Sequence, residues 1–237
     1  EFSAMNHIEK SIDSLRSHRP LILPSMLMCD FSDIREQCRL LQDGGAEALH
    51  LDVMDGRFVP NLSYGLPIVA AFRESTDMLL DVHLMMDHPE NYISQFADAG
   101  ADILTIHQES TENAGACIEE IHRCGVLAGI AVNPDTDLDL ILDVASSCDL
   151  VLIMSVHAGF GGQTFIDKSI SRIETMRDHS ENYLLEVDGG INASTIGNCA
   201  NAGVDLFVVG SALFNQKDYG STLSHLAGLA EPHKDNA

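Results

Sequence analysis

Two histidines and two aspartates stand in stretches of the sequence that otherwise have the apolar composition of buried strands. His50 and Asp52 lie in "HLDVMDGRFVPN" (residues 50–61), His83 lies in "DVHLM" and Asp188 lies in "EVDGG". Because side chains alternate along a strand, His50 and Asp52 point to the same face. Buried charges require compensation, and two imidazoles with two carboxylates suit Zn²⁺, Fe²⁺, Mn²⁺ or Co²⁺. The sequence therefore predicts one divalent metal ion bound by these four residues, and it does not select the metal.

Two more carboxylates lie deeper on the same strand faces. Asp81 precedes His83 by two positions, and Glu186 precedes Asp188 by two. We expect carboxylates at this depth to orient a ligand histidine. His107, in "DILTIHQE", is left open between a polar lining role and simple packing.

Three glycine-rich segments follow predicted strands near the end of the chain. They are "HAGFGGQTF" at 157–165, "DGG" at 188–190 and "GS" at 210–211. Glycine lets backbone N–H groups approach an anion closely, and the loops after the last strands of a β/α barrel commonly seat a phosphate. The three segments together predict a phosphate-binding site.

Apolar residues occur beside the same predicted strand ends. Met54, Met85 and Met154 could shield a reacting carbon from water, although filling of the core explains them equally. The "RFVPN" segment suits neither a strand nor a helix, so we interpret it as a loop over the site, with Phe58 or Pro60 helping to exclude water.

Short apolar strands alternate with amphipathic segments along the whole chain. Helix-like segments include 32–43, 113–124 and 194–202, and several strands follow a glycine that is expected to cap the preceding helix. This alternation predicts an α/β protein with one (β/α)8 TIM barrel, and a doubly wound open sheet is the weaker alternative. We place the barrel at 21–230, after a leading segment at 1–20 that begins with a cloning scar and before a flexible tail at 231–237. The predicted strands begin at Leu21, Ala48, Leu79, Asp102, Leu127, Leu150, Leu184 and Leu206.

The composition restricts the partners. Thirteen Lys and Arg against 36 Asp and Glu give the 237-residue chain a formal charge of −23. Such a charge repels nucleic acids and anionic membranes, so neither is an expected partner, and a phosphate must be held by uncharged backbone donors. No apolar run approaches the roughly 18 residues of a membrane span. Six cysteines without a CxxC pair predict reduced thiols and a cytoplasmic protein.

The motifs resemble those of the ribulose-phosphate 3-epimerase family. The resemblance covers the chain from about Leu21 to Phe214, with the family's motifs in their usual order and spacing. The matching stretches are "PSML.CDF" at 24–31, "HLDVMDGRFVPN" at 50–61, "DVHLM" at 81–85, "MSVHAGFGGQ.F" at 154–165, "EVDGGI" at 186–191 and "VGSALF" at 209–214.

The resemblance implies a metal-dependent isomerase of the pentose phosphate pathway. Such an epimerase interconverts D-ribulose 5-phosphate and D-xylulose 5-phosphate by inversion at C3 through an enediolate. It implies that His50, Asp52, His83 and Asp188 hold the metal and that Asp52 and Asp188 form the acid-base pair. Its partner is a small-molecule sugar phosphate, and homo-oligomers are common among such barrels. The implied substrate contacts are Ser25, His83, Gly159, Phe160, Gly161, Gly162, Asp188, Gly189, Gly190, Gly210 and Ser211.

Departures from the family pattern leave other functions open. Ala158 stands where the family usually has Pro, His157 stands where it has Asn, Glu or Asp, and Met28 and Cys29 replace small residues. These changes affect which sugar phosphate the pocket is expected to accept, so an epimerase of D-allulose 6-phosphate is one alternative. A non-catalytic barrel that binds sugar phosphates is another. A metal-free decarboxylase is disfavoured, because the Asp-x-Lys-x-x-Asp pattern of that related branch is missing after Asp81.

Overall fold

The computed structural model describes residues 15–17, 20–180 and 182–231, and its centre is a ring of eight strands. All neighbouring strands pair in parallel, and they follow one another around the ring in chain order until the last strand pairs with the first. An isolated parallel bridge between Ser25 and His50 joins the first two strands at the remaining seam. The predicted (β/α)8 barrel is thus confirmed, and the open-sheet alternative is wrong. The strands are Leu21–Pro24 (β1), Ala48–Met54 (β2), Leu79–Met85 (β3), Ile103–His107 (β4), Leu127–Val132 (β5), Leu150–Met154 (β6), Leu184–Asp188 (β7) and Leu206–Val209 (β8).

Helices connect the strands on the outside of the ring. The three predicted helical segments are present, with ends that agree within two residues, and the carboxylate of Asp33 caps the first of them by accepting from the Glu36 N–H. No helix among the described residues is long and apolar enough to cross a membrane. Most of the predicted leading segment 1–20, and all of the predicted tail except residue 231, lie outside the described residues. The helices are Ile34–Asp43 (α1), Leu66–Arg73 (α2), Ile93–Asp98 (α3), Ala114–Arg123 (α4), Leu142–Ala145 (α5), Ser169–His179 (α6), Ile196–Asn201 (α7), Ser211–Phe214 (α8) and Tyr219–Ala230 (α9).

The interior of the barrel changes from apolar to polar along the strand direction. At the amino-terminal ends of the strands, leucines such as Leu150, Leu184 and Leu206 fill the interior and are almost fully buried. Because every second residue faces inward, Glu186 and then Asp188 follow Leu184 on the inner face of β7. The strand pattern therefore places the polar side chains together at the carboxyl-terminal mouth, above an apolar floor.

Acidic residues just before three even-numbered strands tie the lower rim of the barrel together. Each carboxylate accepts a hydrogen bond from a backbone N–H of the preceding strand. It also pairs with a basic side chain of the helix that comes just before that strand in the sequence. Asp102 accepts from Leu80 N–H at 2.8 Å and pairs with Arg73, Asp149 accepts from Ala128 N–H at 2.9 Å and pairs with His122, and Asp205 accepts from Leu185 N–H at 2.9 Å and pairs with Arg177. This repeat fixes the strands that carry the site relative to the helices.

The substitution Asp102→Ala tests this repeat. It leaves the Leu80 N–H without its acceptor and removes the carboxylate that pairs with the half-buried Arg73 guanidinium, so we expect the free energy of unfolding to fall by about 2–4 kcal/mol. Urea denaturation measures the change. Asp98→Ala, at the exposed end of α3, is the matched control and should shift the midpoint little. Equal midpoints for the two variants would contradict the role given to Asp102.

Candidate metal centre and active site

The four predicted metal ligands converge at the mouth of the barrel. His50, Asp52, His83 and Asp188 each offer one ligand atom, and these atoms all lie within 4.8 Å of one another. His50 Nε2 and His83 Nδ1 lie 3.3 and 3.4 Å from Asp52 Oδ1. Both nitrogens are buried and have no hydrogen-bond partner among the described residues. Two unpartnered ring nitrogens facing two carboxylates match the ligand set of a divalent ion, so the residues fit a metal.

The electrostatics of the metal-free cluster separate the two carboxylates. Burial works to raise the pKa of Asp52, but contacts with His50 and His83 outweigh burial and leave that pKa below its usual range. Burial, reinforced by the charge of Asp52, raises the pKa of Asp188 to about 7. Near neutral pH, Asp52 is therefore ionised while Asp188 is partly protonated. The two carboxylates have opposite tendencies to hold a proton.

The two histidines differ in the same way. Burial lowers the pKa of His83 to about 4, so its ring is neutral and one of its nitrogens is free to bind a metal. Burial also works to lower the pKa of His50, but the charges of Asp52 and Asp81 prevail and hold it well above its usual value. His50 must therefore release a proton before its Nε2 can bind a metal.

Asp81 and Glu186 lie beneath the cluster, and both face His50. Asp81 Oδ2 is 2.5 Å from His50 Nδ1, and Glu186 Oε1 is 3.2 Å from the same atom. Burial, followed by the charge of Asp81, raises the pKa of Glu186 far above its usual value, so that carboxyl group is protonated. This arrangement holds the His50 ring with Nε2 directed to the mouth, in the manner of carboxylates that orient metal-bound histidines.

Ser25 and His107 contact two of the other proposed ligands, Asp52 and His83. The Ser25 hydroxyl donates a hydrogen bond to Asp52 Oδ2 at 2.7 Å, which leaves Oδ1 facing the two histidine rings. His107, whose role the sequence left open, is fully buried, and its Nε2 lies 2.8 Å from His83 Nε2. Each of these two residues thus contacts a predicted ligand through a polar atom.

The glycine-rich segments meet beside this cluster in a cavity of about 650 Å³. A Cβ atom at Gly190, where φ is +66°, would lie 2.5 Å from the backbone nitrogen of Phe165. Only glycine allows the loops after β6 and β7 to approach so closely. The cavity is lined by the predicted residues Ser25, Asp52, Gly159, Phe160, Gly161, Gly162, Asp188, Gly189, Gly190, Gly210 and Ser211. His83, which was also predicted to contact the substrate, is fully buried and is not among the lining residues.

Methionine side chains line the cavity, and the loop after β2 contacts the glycine loop after β6 beside it. Met54, Met85 and Met154 line it, as the sequence indicated. Phe58 packs with its ring centroid 4.9 Å from that of His107. The Asn61 side-chain amide donates to the Gly159 carbonyl oxygen at 2.7 Å and joins the loop after β2 to the glycine loop after β6. The 57–61 segment therefore packs against the loop after β6, and none of its residues lines the cavity.

Several lining residues were not predicted from the sequence. The polar ones lie in the turns after β6 and β7 and after α8, and this position is the only sequence signal that they have. His157, one of the departures from the family pattern, is outside the set that lines the cavity, and its side chain is 63% exposed. The unpredicted lining residues include Gln163, Thr164, Asn192, Ser194, Asn215 and Gln216.

Comparisons with known proteins point to one family. The model of the "Ribulose-phosphate 3 epimerase family" matches residues 21–214. A ribulose-phosphate 3-epimerase of Mycobacterium leprae (strain TN) is 43% identical over 221 residues, which span 90% of this chain and 98% of the relative. The protein of the same name from Bacillus subtilis (strain 168) is 42% identical over 212 residues, which span 87% and 98%. The crystal structure of KGPDC from Streptococcus mutans has a TM-score of 0.70 at 12% identity and spans 90% and 98%, a likeness of fold alone.

Proton release on metal binding tests the electrostatics of the cluster. In the metal-free protein the pKa of His50 is held well above its usual value, and Asp188 keeps its proton below pH of about 7. We therefore expect Zn²⁺ to displace more protons at pH 6 than at pH 8, with Asp188 accounting for a difference of about one. Calorimetry in buffers of different ionisation enthalpy counts these protons.

The variant Asp188→Asn is the control for this count. Its amide has no proton to release, so the number at pH 6 should fall by about one and the difference between the two pH values should disappear. A count that is the same at both pH values in the unmodified protein would contradict the assigned protonation states.

Proposed function

The chain belongs to the ribulose-phosphate 3-epimerase family and is an epimerase of the pentose phosphate pathway, and we propose that it inverts C3 of D-ribulose 5-phosphate to give D-xylulose 5-phosphate. The observation that carries the proposal is the convergence of His50, Asp52, His83 and Asp188 beside a cavity lined by three glycine-rich loops. Sugar and phosphate then have separate places. The reacting carbons lie at the carboxylates, and the phosphate lies at the glycines.

Asp52 and Asp188 are the acid-base pair in this proposal. Inversion requires that one group removes the C3 proton and that another protonates the planar enediolate from the opposite face. The two aspartates extend from β2 and β7, which are separated around the ring by β1 and β8, and both line the cavity. Their pKa values are displaced in opposite directions, as a base and an acid require. Because the reaction is reversible, they exchange roles between its two directions.

The proposal includes one divalent ion held by the same four residues. When bound, such an ion supplies positive charge that stabilises the negative charge developing on the substrate oxygens. Asp81 and Glu186 then keep the His50 ring directed to the site, and Ser25 keeps the Asp52 carboxylate in place. The methionines that line the cavity limit the access of water to the reacting carbons.

Backbone donors hold the phosphate in this proposal. Gly189 and Gly190 have positive φ values of +121° and +66°, and they line the cavity together with Gly210 and Ser211. N–H groups exposed by glycines bind an anion without adding a cation to the chain. This accounts for phosphate binding by a protein whose formal charge is −23.

The cysteines support a cytoplasmic location. All six are free thiols, five of them buried, and burial raises the pKa of Cys148 and Cys199 to about 12. Buried, protonated thiols react slowly, and cysteines stay reduced in a compartment such as the cytoplasm.

Deuterium exchange at C3 tests the proposed function. Proton NMR of the Fe²⁺- or Zn²⁺-loaded protein in D2O with D-ribulose 5-phosphate should show deuterium at C3 and the appearance of D-xylulose 5-phosphate. Asp52→Asn and Asp188→Asn should each lower turnover by at least ~100-fold, a general acid-base contribution. Asp143→Asn, an exposed change in α5, should leave turnover unchanged.

Other outcomes would change the assignment. Exchange with D-allulose 6-phosphate alone would support the same reaction but would assign it a different substrate. Binding of both sugars without any exchange would favour a non-catalytic sugar-phosphate-binding barrel. Near-normal turnover in either Asn variant with metal bound would refute the acid-base pair.

A further inference from the structure

The side chain of Met28 lies at the end of the cavity that we assign to the phosphate. It belongs to a short 3-10 turn, Met26–Met28, that follows β1, and it lines the cavity. We propose that Met28 determines specificity by limiting the length of the sugar phosphate, so that a five-carbon ketose phosphate is preferred to a six-carbon one. The inference rests on the proposed function in taking the substrate as a ketose phosphate whose phosphate lies at the glycines.

Contacts with two glycines define the course of the Met28 side chain. A Cβ atom added at Gly161 would lie 3.1 Å from Met28 Sδ, and a Cβ atom added at Gly210 would lie 3.3 Å from Met28 Cγ. Gly161 is in the loop after β6, and Gly210 follows β8. The thioether therefore extends from the end of β8 to the loop after β6, and both glycines leave room for it.

The proposed phosphate position lies between these two contacts. In the ring, β7 lies between β6 and β8, and Gly189 and Gly190 directly follow β7. Met28 thus contacts the loops on both sides of the two glycines that the proposal assigns to the phosphate. Its side chain closes the space between those loops, next to the phosphate position.

The reacting end of the substrate is fixed independently of Met28. In the proposed reaction C3 lies between Asp52 and Asp188, which the strands of the barrel hold in place. A six-carbon ketose phosphate has one more carbon between C3 and the phosphate, so its phosphate must lie farther from these carboxylates. Met28 occupies part of the space that the displaced phosphate needs.

The cavity offers a displaced phosphate no charged partner. Among the described residues that line it there is no lysine, arginine or histidine, and the charged ones are Asp52, Asp167 and Asp188. Neutral donors bind an anion well only where water is excluded and the anion fits their positions. A phosphate that leaves the glycines loses these donors and gains no cation, so a longer substrate binds less well.

The backbone keeps Met28 at the cavity. The Ser25 carbonyl oxygen accepts from the Met28 N–H at 3.4 Å, the Met26 carbonyl oxygen accepts from the Cys29 N–H at 3.2 Å, and the Met26 side chain is fully buried. Methionine is a flexible side chain, so its rotation makes some room for a longer substrate. Met28 therefore produces a preference between substrates and not complete exclusion of the longer one.

Competition between two substrates tests the inference. Proton NMR of the Zn²⁺-loaded protein in D2O, with D-ribulose 5-phosphate and D-allulose 6-phosphate in one tube, measures the ratio of the two kcat/KM values from deuterium entry at C3. We expect the unmodified protein to prefer the five-carbon sugar, and Met28→Ala to reduce this preference about 10-fold, the effect of a methylene-sized difference in a pocket.

Two further variants are controls for this ratio. Met28→Leu has a similar side-chain volume and should keep the preference. Leu140→Ala shortens an exposed side chain that does not line the cavity and should also keep it. An equal preference in Met28→Ala and the unmodified protein would overturn the proposal, as would a preference of the unmodified protein for the six-carbon sugar.

Binding of alditol phosphates separates this inference from the proposed function. D-ribitol 5-phosphate and D-allitol 6-phosphate have no ketone and cannot be epimerised, so calorimetry measures their affinities for the Zn²⁺-loaded protein without reaction. The preference for the five-carbon alditol should fall about 10-fold in Met28→Ala and persist in Met28→Leu, and an unchanged preference would overturn the inference. The expected binding preferences without exchange of either ketose would refute the proposed function alone, whereas failure to bind either alditol would overturn both.

Discussion

The burial of charge at the mouth of the barrel is the constraint that organises this structure. His50 and His83 are completely buried and Asp52 is 4% exposed, so water compensates very little of their charge. Charged groups in such surroundings must share protons, pair with one another or bind a cation. The metal-free cluster uses the first two means, since Asp52 is ionised between two histidines and Asp188 retains a proton near neutral pH. Two ring nitrogens still lack a hydrogen-bond partner among the described residues, and a divalent ion would satisfy both.

The layers around the cluster follow from that constraint. Beneath it, a carboxyl pair holds one ring, and the protonated state of Glu186 limits the negative charge that the core contains. Beside it, the His107 imidazole lies between the His83 ring and the carboxylate of Glu109. Below these polar contacts the interior is filled by leucines, and the paired acids of the lower rim fix the strands. The phosphate end differs in kind, because its donors are backbone groups exposed by glycines.

Much of this arrangement could be predicted from the sequence. Alternation of apolar and polar residues placed His50 and Asp52 on one face, and the recurring strand and helix segments predicted the barrel. Contacts between side chains of different strands could not be predicted from the sequence, because they depend on how the ring closes. Register across the ring brings both Asp81 and Glu186 to His50, although each precedes a different predicted ligand.

His107 shows the same limit of prediction from sequence. Its own stretch of sequence identifies no partner, and only the pairing of β3 with β4 brings its Nε2 to His83. Glu109 was hidden for a further reason, since an acid just after a strand has the appearance of an ordinary surface residue. The polar residues that line the cavity after β7 and after α8 were missed because turns are usually polar.

Anomalous X-ray scattering from crystals of the protein loaded with Zn²⁺ would test the central claim most directly. We expect one strong peak at the barrel mouth, within about 2.0–2.2 Å of His50 Nε2, His83 Nδ1 and one carboxylate oxygen each of Asp52 and Asp188. A peak elsewhere, or coordination that leaves either ring nitrogen unbound, would contradict the account of why these charges are buried together.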